Sequence, residues 1–144
     1  MKTPTRDAEW SPPSGTSSEH IVAGVFWDAV RVPEYLGSRT VARLGDACGA
    51  LIRDPYIHWL TWLVAPGATA GWPAPGTTSV QLLGAAQFVE VPPAGRTRSA
   101  SMHWARAWTA DRRLTDADVL RAALEGVLAE AGVSGEDLSC RSGL

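Results

Sequence analysis

The side chains of this chain that could carry chemistry are few, and the strongest set is basic and aromatic. Arg96, Arg98 and Arg106, followed by Arg112 and Arg113, accompany Trp104 and Trp108, which alternate along one apolar stretch. Arginines that track a phosphate backbone, beside rings on which bases stack, make a single-stranded nucleic-acid surface. The same residues also read as core tryptophans with a solvated arginine rim, since large aromatics are mostly buried where helices cover a sheet. His58 and His103 fall near strand ends, where two imidazoles facing one groove could meet a phosphate and where half-exposed histidines of no special role are also common. Asp28 is a lone carboxylate and a weak metal candidate; a turn acceptor or surface group is its ordinary role. Cys48 lies in an apolar helical stripe, as a small core residue would. Neither it nor Cys140 has a metal or redox spacing, so reduced thiols and no cofactor are expected. The run GATAGWPAPG places prolines where a phosphate-cradling loop needs free backbone N–H groups.

The elements that must position these residues centre on Ile57 to Pro93. Apolar runs rich in aromatic and β-branched residues, bounded by Gly and Pro, read as strands. Ile21–Val32 is the first predicted strand. Pro33 then suits the start of a helix, on which Leu36, Thr40, Val41, Leu44, Ala47 and Cys48 form a stripe ending at Gly49. Asp54-Pro55-Tyr56 signals a turn, giving a hairpin of Ala50–Ile52 with Ile57–Val64. Pro66 to Gly76 reads as an ordered loop anchored by Trp72. Val80–Leu83 and Phe88–Val91 read as paired strands joined by a tight turn at Gly84-Ala85-Ala86. Met102–Trp108 is the last strand, with Met102, Trp104, Arg106 and Trp108 on one side. Thr115 reads as the N-cap of a final helix whose apolar face is Val119, Leu120, Ala123, Leu124, Val127 and Leu128.

Composition sets the outer bounds. With 144 residues, 45% hydrophobic and 19% charged, the chain suits one ordinary domain. We divide it into a disordered leader (residues 1–19), a single α+β domain (20–132) and a flexible tail (133–144). A net charge of −2 excludes a chain-wide attraction to nucleic acid or anionic lipid, so any such contact must be local. No apolar run approaches a membrane span and the N-terminus lacks a signal-peptide core, which points to the cytoplasm and to no membrane partner.

The run WLTWLVAPG, a Pro/Gly bend, PGTTSVQLLGAAQFVEVPP, an Arg/Thr/Ser loop and HWARAW resembles the C-terminal half of the primase/polymerase domain of the archaeo-eukaryotic primase superfamily. IVAGVFWDAVRVP and the helix after it resemble that family's first catalytic strand and helix, so the resemblance spans residues 21–108. It implies a nucleotide-binding sheet and, in the family's polymerases, two acidic residues separated by one that hold divalent metal against phosphates. Here that stretch reads Val30-Arg31-Val32-Pro33, and Thr77–Gly84 lacks the third acid. Aligned on Val64-Ala65-Pro66, the family's histidine falls at Trp59, one residue from His58.

The expectation is therefore an α+β fold: a mostly antiparallel sheet of about six strands with two helices packed on it, lacking the family's metal site. Its function would be a non-catalytic primase/polymerase-like module binding nucleic acid or nucleotide through a sheet groove lined by Arg96, Arg98, Trp104, Arg106, His58 and His103. The alternative is a small protein-interaction or regulatory subunit docking through its Trp-rich sheet and Pro/Gly-rich loop.

Overall fold

The computed structural model describes residues 10–72 and 80–131. The expectations for residues 1–9, for the loop at 73–79 and for the tail at 133–144 lie outside the described residues. The elements in chain order are β1 (Glu19–Val22), β2 (Asp28–Pro33), α1 (Glu34–Leu44), a short 3-10 turn (Gly45–Ala47), β3 (Leu51–Asp54), β4 (Trp59–Val64), β5 (Gln81–Leu83), β6 (Phe88–Val91), β7 (His103–Arg106) and α2 (Ala117–Ala131). The α+β class is as expected from the sequence, but the strands among the described residues number seven rather than about six. They form two antiparallel sheets, one of five strands ordered β5-β2-β4-β3-β7 and one of two, β1-β6.

The extra strand arises because the run expected as one strand, Ile21–Val32, is broken. Gly24 takes φ +97°, and a Cβ there would lie 2.6 Å from the Ala85 Cα. Only glycine satisfies both the backbone angle and the close approach. The partner strand bends at the same level: Gly84 to Gln87 form a turn, with Ala86 at φ 72°. Thus β1 pairs with β6 and β2 with β5 in one antiparallel sense, as a ribbon folded across a corner from the small sheet into the large one. β5 and β6 are therefore successive pieces of one bent strand, not the two arms of a hairpin. The β3–β4 hairpin forms as expected, with Asp54 Oδ1 accepting the Tyr56 N–H at 3.0 Å in its turn.

Helix α1 begins after Pro33 but stops at Leu44, earlier than expected. Gly45, at φ 55°, donates its N–H to the Val41 carbonyl and ends the helix, leaving Cys48 beyond the 3-10 turn. In α2 the cap also moves by one residue: Asp116 Oδ1 accepts the Val119 N–H at 3.0 Å. Thr115 is buried and ties α2 to the sheet, its hydroxyl accepting the Gly49 N–H and its own N–H bonding the Leu63 carbonyl, both at 2.9 Å. The helices pack on each other closely enough that a Cβ on Gly126 would meet the Arg43 guanidinium, which pairs with Glu130.

Two apolar layers follow from the strand alternation. One face of the large sheet, with Val30, Val32, Leu51, Leu60, Trp62 and Val64, packs against Leu44 of α1 and Leu120, Ala123 and Leu124 of α2. Trp72, the expected loop anchor, packs at the edge of this layer after a series of turns from Ala65. The opposite face, with Ala29, Ile52, Leu63 and Trp104, is covered by Trp27, by Val89 and Val91 of the small sheet, and by Trp10. The ring of Trp10 meets Trp27 edge-on at 5.5 Å and Trp108 at 4.8 Å. Residues 10–18, assigned from the sequence to a disordered leader, are tied down by this ring, by the Pro13 carbonyl bonding the Ala94 N–H, and by Arg96.

Candidate functional site

The basic and aromatic set expected to line a groove is dispersed. Trp104 is fully buried and its Nε1 donates to the Pro92 carbonyl at 3.0 Å, so its ring faces are core and not a stacking platform. Arg96 is a clamp: its guanidinium donates to the Thr16 carbonyl at 2.6 Å, and also to Ser18 Oγ and the Met102 carbonyl. Arg106 was expected on the same side as Trp104, but the β3–β7 register shifts between Leu51 and Ile52. Such a bulge re-aims the side chain. Arg106 pairs with Leu51 and reaches the Gly45 carbonyl at 3.3 Å, beside the helices, whereas Trp104 pairs with Ile52 toward the other core. Arg112 donates to the Cys48 carbonyl at 2.8 Å. Arg98 is exposed and makes no hydrogen bond or ion pair among the described residues.

The two histidines do not share a groove. His103 is buried in β7 with Nδ1 2.9 Å from the Ser101 carbonyl oxygen. His58 sits in the β3–β4 turn with its side chain 74% exposed. Asp28, the weak metal candidate, is buried and accepts the Gly67 N–H at 2.8 Å, which anchors the loop after β4. Among the described residues no three His, Cys, Asp or Glu side chains approach as a metal site would require. Cys48 is a free, buried thiol whose sulfur accepts the Trp62 Nε1–H at 3.3 Å.

One sequence candidate does stand in a cleft. Where β2 passes into α1, Pro33, Glu34, Tyr35, Ser38, Ile57, His58 and Trp59 line an open, shallow cleft of about 540 Å³. His58 is held there at φ 59°, a conformation uncommon for a residue with a side chain. Its carbonyl accepts the Glu34 N–H at 2.7 Å, satisfying a first-turn donor of α1, and its Nδ1 stands 3.8 Å from Glu34 Oε1. Arg53 grips the same carboxylate with Nη2 and Nε at 3.1 and 3.3 Å. This bidentate pair fixes the floor of the cleft. Around it Tyr35, Tyr56 and Ile57 are exposed, in a molecule whose tryptophans are otherwise consumed by the core. Sequence reasoning missed Tyr35 and Ile57, reading Ile57 only as the start of a strand and giving Tyr35 no role. The signal available was a tyrosine and an isoleucine flanking turn residues that no periodic stripe had claimed.

A second missed group lies on the sheet face away from the helices, where Arg31 of β2 stands between Thr61 of β4 and Gln81 of β5. Burial pushes the Arg31 guanidinium below its usual value, and the charge of Asp54 partly opposes that shift.

Comparison with known proteins found no matching family model, no matching curated protein and no matching solved structure. No helix among the described residues is long and apolar enough to cross a membrane.

Proposed function

We propose that this chain is a non-catalytic binding module that docks a protein partner at the cleft between the α1 N-terminus and the β3–β4 turn. The observation that carries this reading is the exposure of Tyr35 and Ile57 on the lining of one cleft, with Tyr56 exposed in the adjoining turn; Val25, Phe88 and Val119 are exposed singly on other elements. Exposed apolar residues gathered at one place mark an interaction surface. Tyrosine is well suited to it, since it offers a rigid apolar body with a polar tip. The chemistry of the cleft also selects the class of partner. Its walls of Pro33, Tyr35, Ile57 and Trp59 accept an apolar side chain, and the Glu34 carboxylate, paired with Arg53, adds no net positive charge that would attract a phosphate backbone.

This is the protein-interaction alternative with its surface relocated, because Trp62 and Trp104 of the sheet are buried in the core and only Trp59 borders the cleft. Descent from a primase/polymerase domain is part of the same proposal. It is supported by the order of aromatic strand, Pro/Gly bend, Val-Glu-Val-Pro-Pro and second aromatic strand, with Arg31 where the family's acidic pair would be. The non-catalytic reading follows from that replacement.

The test places a photocrosslinking phenylalanine at Tyr56 in the full chain within cells. The expected result is a discrete protein adduct that disappears in the Tyr35→Asp, Ile57→Asp variant while the thermal transition is kept. No adduct, together with titratable binding of single-stranded DNA or RNA that Arg96→Ala and Arg98→Ala weaken at low salt, would overturn it in favour of the nucleic-acid reading.

A further inference from the structure

The face of the five-stranded sheet opposite the helices carries three hydrogen-bonding side chains that the fold does not use. Register sets Gln81, Arg31 and Thr61 directly across from one another on β5, β2 and β4. Side chains so paired stand about 5 Å apart on one face of the pleat. They lie one pair along the same face from Leu83, Ala29 and Leu63, in a row that runs on from Thr61 to the buried Ile52 of β3. Among the described residues the Arg31 guanidinium donates no hydrogen bond and closes no ion pair, and neither Thr61 nor Gln81 has a side-chain partner. Thr61 is only 6% exposed, yet its hydroxyl is not sealed. Among the described residues the sealed side-chain polar atoms without a partner are Trp27 Nε1 and Trp72 Nε1.

A half-buried arginine with an empty fork is an unusual use of a central strand. Desolvating a guanidinium is costly unless acceptors replace its water, and a planar two-oxygen acceptor replaces it best. Asp54 lies on the same face, paired with Trp59, but is not that acceptor. Its Oδ1 is engaged by the Tyr56 N–H, and it closes no ion pair with Arg31.

We infer that Gln81, Arg31 and Thr61 form a binding site for a small oxyanion group, a carboxylate or a phosphate, gripped by the Arg31 fork and hydrogen-bonded by the Thr61 hydroxyl and the Gln81 amide. Arginine supplies two parallel N–H donors to such a group, and the flanking donors are uncharged and short, so they add direction without adding charge. The negative charge of Asp54 beside the site disfavours a doubly charged ligand and ranks a carboxylate above a phosphate. The site adjoins the docking cleft, whose Pro33 and Trp59 form the next pair along the same face, but uses none of its residues and does not depend on it.

The experiment titrates sodium acetate, sodium phosphate and, at matched ionic strength, sodium chloride into the ¹⁵N-labelled full chain, reading the Arg31 Nε–H and Gln81 side-chain amide signals. Expected are saturable shifts with acetate, weaker ones with phosphate and none with chloride. Arg31→Met abolishes saturation. Arg31→Lys, which keeps the charge and loses the fork, and Thr61→Val, which keeps the shape and loses the hydroxyl, each weaken acetate about tenfold. Phosphate binding more tightly than acetate would support the site and name phosphate as its ligand. No saturation in either arm, or saturation that survives Arg31→Met, would overturn the inference. Should Arg31→Met lose its thermal transition, unchanged acetate affinity in both Thr61→Val and Gln81→Leu overturns it instead.

Discussion

The two faces of the five-stranded sheet share the same strands and differ in how they are closed. Along β2, Val30 and Val32 enter the helix-covered core, while Ala29 enters the opposite core and Arg31, two residues on, does not. Along β4, Leu60, Trp62 and Val64 alternate in the same way with Thr61 and Leu63. The helix face is a closed apolar layer under two helices. The other is closed over part of its length by a folded ribbon and a tryptophan cluster, and then changes to a polar row. Stability and recognition are thus divided along one face as well as between two.

The largest expected effects test whether both covered regions are true core. Trp62→Ala on the helix side and Trp104→Ala under the ribbon should each cost about 3–5 kcal/mol in chemical denaturation. Trp104 adds the loss of its bond to the Pro92 carbonyl. A Trp104 cost below about 0.5 kcal/mol would break the comparison by making the ribbon side peripheral. Leu124→Ala removes a buried contact of α2 with the helix-side layer and should cost about 2–5 kcal/mol. Thr115→Val leaves the Gly49 N–H buried without its acceptor and should cost about 1–3 kcal/mol. Hydrogen exchange at Gly49 should quicken in that variant, and unchanged exchange would mean that the bond to Thr115 is not what protects it.

The smallest effect sharpens the comparison most. Arg31→Met keeps the packing of the arginine stem and removes an unpaired, partly desolvated charge. Its stability should change by less than about 0.5 kcal/mol, or rise. A loss above about 2 kcal/mol would show that the polar row is structural, as Arg96 proved to be.

Much of the fold was legible because local rules and tertiary packing agreed. The α2 face, the β3–β4 hairpin at Asp54-Pro55 and the start of α1 after Pro33 all follow from periodicity, turn chemistry and the proline ring. Where the sequence misled, a single residue changed the outcome. Gly24 was absorbed into an apolar run although glycine inside a strand pattern signals a bend. Gly49 was read as the end of α1, although Gly45, four residues earlier and at positive φ, is the stop.

By itself the sequence determined the α+β class, most of the apolar stripes that would be buried, though Ala47 and Val119 are exposed, and the absence of an acidic pair on β2, because side-chain type and period are local properties. Only the tertiary structure decided which aromatics were core and which polar groups were left over. Trp104 and Arg96 resemble a binding surface until the chain from Trp10 folds over them, and Arg31 looks like one polar residue of an alternating strand until its neighbours on β4 and β5 are known. Those assignments depend on contacts between residues far apart in the chain. A register shift of one residue, as between Leu51 and Ile52, is enough to send Arg106 to the other face.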